Sequence, residues 1–240
     1  MIPDTELSLF GILYDDDREL RRGGLDDGVT IYTIGASWLG IYDAGPGRAD
    51  LLLWVAGQGG EFSDADHSAA AGIAEFGYQM PQWPGRPWLR AGVNVASGDG
   101  DPTDGTHHTF FNLLPTNHFY YGFADQLAFQ NLINPFLQLR LAPHAKVGLN
   151  FFVHWFQLMN DDDARYAGTG AFDRKGFGFT AQNAAGQTDV GVEYDIVATL
   201  ALHRTTTVEF GFSFLDGGDV FRNQPDRDVT FAYASFEFRY

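Results

Sequence analysis

The sequence predicts an all-β protein, an antiparallel up-and-down transmembrane β-barrel with about ten strands in a single domain over residues 1–240. Ten segments alternate apolar and polar side chains with the two-residue period of a strand. The connections between these segments alternate between short turns and long loops, as they do in outer-membrane barrels. Aromatic side chains make up 15% of the residues and 29 residues are Gly, a composition that favours strands and turns over helices.

Most of the predicted strands reach the ~9–11 residues that a tilted strand needs to cross a bilayer. They lie at residues 4–14, 28–42, 49–61, 69–80, 87–96, 133–141, 146–158, 188–202, 206–215 and 228–240. Short turns are predicted at residues 43–48, 81–86, 142–145 and 203–205. Long loops are predicted at residues 15–27, 62–68, 97–132, 159–187 and 216–227.

The later strands show which face is apolar. Phe210, Phe212 and Phe214 alternate with Glu209 and with a serine, and the last strand has aromatic residues at every second position up to Tyr240. A continuous face of phenylalanines suits lipid, and a terminal strand of this kind resembles the recognition signal of bacterial outer-membrane proteins. A soluble or surface-bound β-sandwich that binds carbohydrate would show the same alternation, so it remains the alternative.

Composition excludes several classes of protein. The net charge of -16 leaves no basic stripe for a nucleic-acid partner. The chain has no Cys, which rules out disulfides and thiolate metal sites, and no apolar run reaches the ~18 residues of a transmembrane helix. A secretory signal is missing at the start, so we expect a soluble chain, a mature chain or a fragment. No G-x-S-x-G or H-E-x-x-H motif is present, and we predict that the protein is not an enzyme.

The longest irregular stretch, residues 97–124, is expected to have a function because structureless runs of this length are rare inside domains. We predict that it is an outer loop that enters or caps the pore and acts as its gate. The candidate gating residues are Asp99, Asp101, Asp104, His107, His108 and His118. The three aspartates depart from the EF-hand pattern and the histidines lack further ligands at metal-binding spacing, so we predict neither a metal site nor a cofactor.

Residues 98–141 resemble the alginate export family of outer-membrane barrels. The resemblance lies in the run GDGDPTDGTHHTFFNLLPTNHFYYGF, the QNL that precedes Asn134-Pro135, and the hairpin APHAKVGLNFFVHWFQL; it continues through residues 188–240. The family implies an eighteen-stranded monomeric pore in the bacterial outer membrane, which exports the anionic polysaccharide alginate through an arginine-rich lumen. Outer-membrane lipid and lipopolysaccharide would then be its partners. Ten strands correspond either to the C-terminal part of the family's barrel or to a closed small barrel.

Strand parity also predicts which side chains line the pore. The candidates are Arg90, Arg140, Arg239, Glu193, Asp195, Glu209 and His154. Acids outnumber bases on this face once Glu6, Glu75 and Glu237 are added, which is unfavourable for a polyanion. We therefore expect a pore or exporter that passes a polysaccharide or small solutes, with cations and neutral solutes passing more readily.

Overall fold

The structure, a computed structural model, describes residues 4–17, 28–113, 117–168, 179–222, 224 and 226–239. Its strands are β1 (Thr5–Asp16), β2 (Val29–Ala44), β3 (Gly47–Phe62), β4 (Ala65–Gln79), β5 (Trp88–Ala96), β6 (Thr106–His107), β7 (Leu132–His144), β8 (Val147–Gln157), β9 (Ala164–Gly168), β10 (Phe179–Asn183), β11 (Asp189–His203), β12 (Thr206–Gly217) and β13 (Val229–Phe238). One short helix, α1 (Asn117–Tyr120), and one 3-10 helix (Asp219–Phe221) complete the described elements, and neither is long and apolar enough to cross a membrane.

All ten predicted strands are confirmed, with ends that differ from the prediction by at most four residues. They form one sheet in the order β1-β2-β3-β4-β5-β7-β8-β11-β12-β13, and each pairs antiparallel with the next. This is the predicted all-β, up-and-down arrangement. A sandwich requires two packed sheets, whereas the ten long strands form a single sheet; β1 and β13, at its two edges, do not pair with each other in the described residues.

The connections follow the predicted alternation with one exception. At one end of the sheet the turns are short, and Gly45, at a φ of 59°, allows two residues to join β2 to β3. At the other end the prediction of a long loop at residues 62–68 is wrong. Ser63, at a φ of 55°, and Asp64 form a tight turn there, and β4 begins directly after it because Ala65 already pairs with Phe62.

Five short elements were not predicted: β6, β9, β10, α1 and the 3-10 helix. β6 pairs in parallel with the start of β4, β9 and β10 form a separate hairpin, and α1 lies within the stretch predicted to be irregular. These pieces are five residues or shorter, too short to show a clear period in the sequence. Most of the predicted loop at 15–27, and the terminal Tyr240, lie outside the described residues.

The two faces of the sheet differ in composition. We call the face against which residues 97–113 and 117–131 pack the inner face, and the opposite face the outer face. Strand parity places large exposed apolar side chains on the outer face, among them Leu7, Leu9, Tyr32, Ile34, Val55, Phe76, Leu89, Leu137, Trp155, Tyr194, Ile196, Phe210, Phe212, Phe236 and Phe238. An exposed apolar surface this extensive is typical of a membrane-facing protein.

The core lies on the inner face. Its largest cluster joins side chains of the sheet, such as Ala56, Leu132 and Phe156, to side chains of the covering residues, such as Phe110 and Phe129. Aromatic rings supply much of this contact, because each ring buries a large apolar area. The stretch that sequence singles out as irregular is therefore part of the core.

Candidate functional site

Residues 97–131, described at 97–113 and 117–131, connect β5 to β7 and cross the inner face; we call them the inserted segment. Its first anchor is on β3. The buried Gln58 side chain accepts from Phe111 N and donates to Phe111 O, both at 2.8 Å, and its Nε2 also lies 3.2 Å from Thr33 Oγ1. The amide thus pairs with both the N–H and the C=O of Phe111, a residue that lies outside the strands.

A second anchor holds the segment to the β3–β4 hairpin. The His107 ring stacks on Phe62 with centroids 4.0 Å apart, and its Nδ1 lies 3.0 Å from His67 Nδ1. Burial lowers the pKa of His107, and Asp99 and Asp163 only partly oppose this effect. Because the neutral form of the ring is favoured, one of the two Nδ1 atoms is protonated and donates a hydrogen bond to the other.

A third anchor lies on β11. Ala124 N donates to Glu193 Oε1 at 2.8 Å. Gly122, at a φ of 84°, passes so close to this carboxylate that a Cβ there would lie 2.5 Å from Glu193 Oε1. Next to it, Phe123 packs into a buried cluster with Phe136, Phe152 and Val197. The segment therefore contacts strands from both halves of the sheet.

A fourth anchor joins the segment to the β8–β9 connection. Asn131 Oδ1 accepts from Asn160 N at 2.8 Å, and Asn131 Nδ2 donates to Asn160 O at 3.0 Å. Asp163 Oδ2 accepts from Asp99 N at 2.9 Å and from Thr109 Oγ1 at 2.6 Å. With these contacts the segment is fixed near both ends as well as in its middle.

A row of polar side chains runs across the strands of the inner face. The Arg90 guanidinium pairs with Glu75 and lies 3.8 Å from Asp50 Oδ1, so two carboxylates surround its charge. Further along, Asn94 Nδ2 donates to Asn134 Oδ1 at 3.0 Å. The row continues with His154 Nδ1, 3.3 Å from the same oxygen, and with His154 Nε2, 3.7 Å from Asp195 Oδ2.

A cavity of about 500 Å³ opens on the inner face near the short turns. Its polar and aromatic lining includes Arg86, Trp88, Arg140, Asn150 and Glu209, and Phe123 of the inserted segment also borders it. The Arg140 guanidinium carbon lies 5.1 Å from the centroid of the Trp88 ring. Arg140 is one of the residues that line the cavity, and no ion pair joins it to a carboxylate among the described residues.

The structure separates the seven predicted pore-lining residues into three groups. Arg140 and Glu209 line the short-turn cavity, and Glu209 accepts a hydrogen bond from Tyr233. Arg239 lies beyond β13, exposed and paired with Glu237. The remaining four lie buried or largely buried on the inner face: Arg90, His154, Glu193 and Asp195.

The predicted gating residues also fall into distinct environments. Asp99 and His107 take part in the anchors described above, whereas Asp101 and Asp104 are exposed and accept hydrogen bonds from the backbone two residues ahead. His108 Nδ1 lies 2.8 Å from Ser68 O, and His118 Nδ1 lies 2.7 Å from Asp125 Oδ2. Within the described ranges, no three His, Cys, Asp or Glu side chains are grouped as metal ligands.

Two features of the candidate site were not predicted from the sequence. Gln58 is the single amide side chain of β3 and lies among Ala and Gly residues. Its isolated position is the only sign in the sequence that this residue has a specific partner. Trp88 and Arg140 are 52 positions apart, and only the β5–β7 register, which pairs them directly, brings them together.

Family comparison agrees with this architecture. The family described as Alginate export matches residues 2–235. The chain belongs to the alginate export family. The match extends to residues 2–97, which precede the motifs that carry the resemblance in the sequence. The alginate export family consists of outer-membrane β-barrel transporters, and its membership supports an exporter-like role for this chain. A search of the curated proteins found no match.

Proposed function

We propose that this chain serves in the bacterial outer membrane as a pore of the polysaccharide-exporter type, in which the inserted segment forms the constriction. The observation that carries the proposal is the position of that segment, which is anchored across the inner face of a sheet whose outer face is apolar. Outer-membrane lipid and lipopolysaccharide are its proposed partners at the outer face, and one copy is the proposed working unit.

The chemistry of the short-turn cavity supports a carbohydrate cargo. Aromatic rings stack on the apolar faces of sugar rings, while amide and guanidinium groups bind hydroxyl and carboxylate oxygens. Trp88, Arg140 and Asn150 supply these groups side by side. We therefore propose that the cavity is the first contact of a sugar chain with the pore.

Burial also changes the expected charge preference. The exposed fractions of Glu193 and Asp195 are 1% each, so these acids have little contact with a solute in the pore. The short-turn cavity itself is lined by Arg86 and Arg140 against Glu209. An anionic polysaccharide such as alginate is thus compatible with this part of the path, although acids prevail over the whole inner face.

Planar-bilayer recording of the refolded chain tests the proposal. We expect discrete conductance steps that oligoalginate blocks from the short-turn side, and we expect Arg140→Gln to weaken the block and to raise cation selectivity. Arg239→Gln is the matched control, because Arg239 is exposed and paired away from the cavity. Block by neutral maltohexaose alone would exclude an anionic cargo, and a folded, inserted chain without conductance would exclude the pore.

A further inference from the structure

A second cavity, of about 300 Å³, lies between the inserted segment and strands β1–β4. Its walls are mostly apolar, and the residues that line it include Phe10, Trp54, Ile73, Phe110, Tyr121 and Phe129. The sheet supplies one wall and the segment the other. A volume of this size is at the lower end of the range found for small-molecule pockets.

One polar group in this wall lacks a partner. Asn112 is 9% exposed and lines the cavity, and its Nδ2 is buried without an acceptor among the described residues. The neighbouring Gln58 cannot serve as acceptor, because its Oε1 already accepts from Phe111 N and lies 3.2 Å from His67 Nε2. A buried donor that remains unsatisfied is destabilising, so a bound acceptor here would be favoured.

We propose that this cavity binds a small, cyclic, largely apolar molecule that carries one oxygen acceptor, which accepts from Asn112 Nδ2. Aromatic walls favour a flat ring system, because rings stack and meet edge to face at low cost. Roughly two fused rings fit a pocket at this end of the size range. A charged or sugar-like ligand is disfavoured, since the apolar walls leave its other polar groups unsatisfied.

The ligand would link the sheet to the segment. Trp54 and Ile73 belong to the sheet, whereas Phe110, Asn112 and Tyr121 belong to the inserted segment. A molecule that binds only when both walls are in place stabilises the inserted position by mass action. This site is separate from the short-turn cavity and does not depend on the proposed cargo.

The test uses the full chain in lipid nanodiscs and two probes of equal shape, methyl naphthyl ketone and its isopropenyl isostere. Equilibrium dialysis against empty nanodiscs separates saturable binding from partition into lipid. We expect the ketone to bind saturably and about tenfold more tightly than the isostere, because only the ketone accepts from Asn112. We also expect the ketone to slow proteolysis of the inserted segment.

Variants sharpen the result. Asn112→Leu should bind both probes equally, and Ile73→Trp should fill the cavity and abolish binding of both. Thr199→Val, in the short-turn cavity, is the control and should change neither. The proposal is overturned if the wild-type chain shows no saturable binding or binds the two probes equally, whatever the variants do. It is also overturned if the Asn112→Leu chain still binds the ketone more tightly than the isostere.

Discussion

The outer and the inner face of the sheet are built from the same ten strands, but their side chains meet different requirements. On the outer face, large apolar residues recur from β1 to β13 and stay exposed. On the inner face, individual groups such as Gln58 and Glu193 bind specific backbone atoms of the inserted segment. The outer face therefore requires a chemical class of side chain, whereas the inner face requires particular residues at particular positions.

The largest effect is expected for a charge on the outer face. Phe212 is 47% exposed and lies in the middle of β12. If this face contacts lipid, Phe212→Arg should lower the free energy of unfolding from a bilayer by about 2–4 kcal/mol, since a charge near the midplane is poorly solvated. The measurement is a urea titration of the chain in lipid vesicles. Phe212→Leu is the control and should cost less than about 1.5 kcal/mol; equal stability of the Arg and Leu variants would mean that the face does not contact lipid.

On the inner face, loss of one amide should release a local part of the structure. Gln58→Leu removes the two hydrogen bonds between this amide and the Phe111 backbone and should lower the free energy of opening of the segment by about 1–3 kcal/mol. Hydrogen exchange at the Phe111 amide measures this opening.

Gln138→Leu is the matched control for that comparison. Gln138 is equally buried on the same face, but its amide contacts side chains of the sheet, including Asn150. Its replacement should leave exchange at Phe111 unchanged. If both variants accelerate exchange alike, the anchor on β3 is not specific.

The comparison also explains how far the sequence predicts the structure. The strands and the outer face follow from a two-residue period, which a short window of sequence already shows. Parity likewise places Glu193 on the inner face, but its partner Ala124 lies 69 positions away in a stretch without any period. The same limit applies to the Phe111 contact, because a single amide among Ala and Gly in β3 does not indicate what it binds.

The smallest effect concerns pH at the histidine anchor. His107 is stacked on Phe62 and faces His67, and burial keeps its pKa below the ordinary value of about 6.5. Asp99 and Asp163 favour the protonated form, whereas His108 opposes it. The unfolded chain therefore binds more protons than the folded one at mildly acidic pH.

The stability that this anchor contributes is therefore present in full above the pKa of His107 in the unfolded chain. It is lost as the pH falls through the lower pKa of His107 in the folded chain. Proteolysis of the inserted segment should be faster at about pH 5 than at about pH 7.5. His107→Phe keeps a ring against Phe62 but removes the proton, so it should reduce this pH dependence. His203→Gln, at an exposed turn, should retain it. Equal pH dependence in the wild type and in His107→Phe would mean that another group causes the effect. His67 would then be the next residue to replace, because its ring directly faces His107.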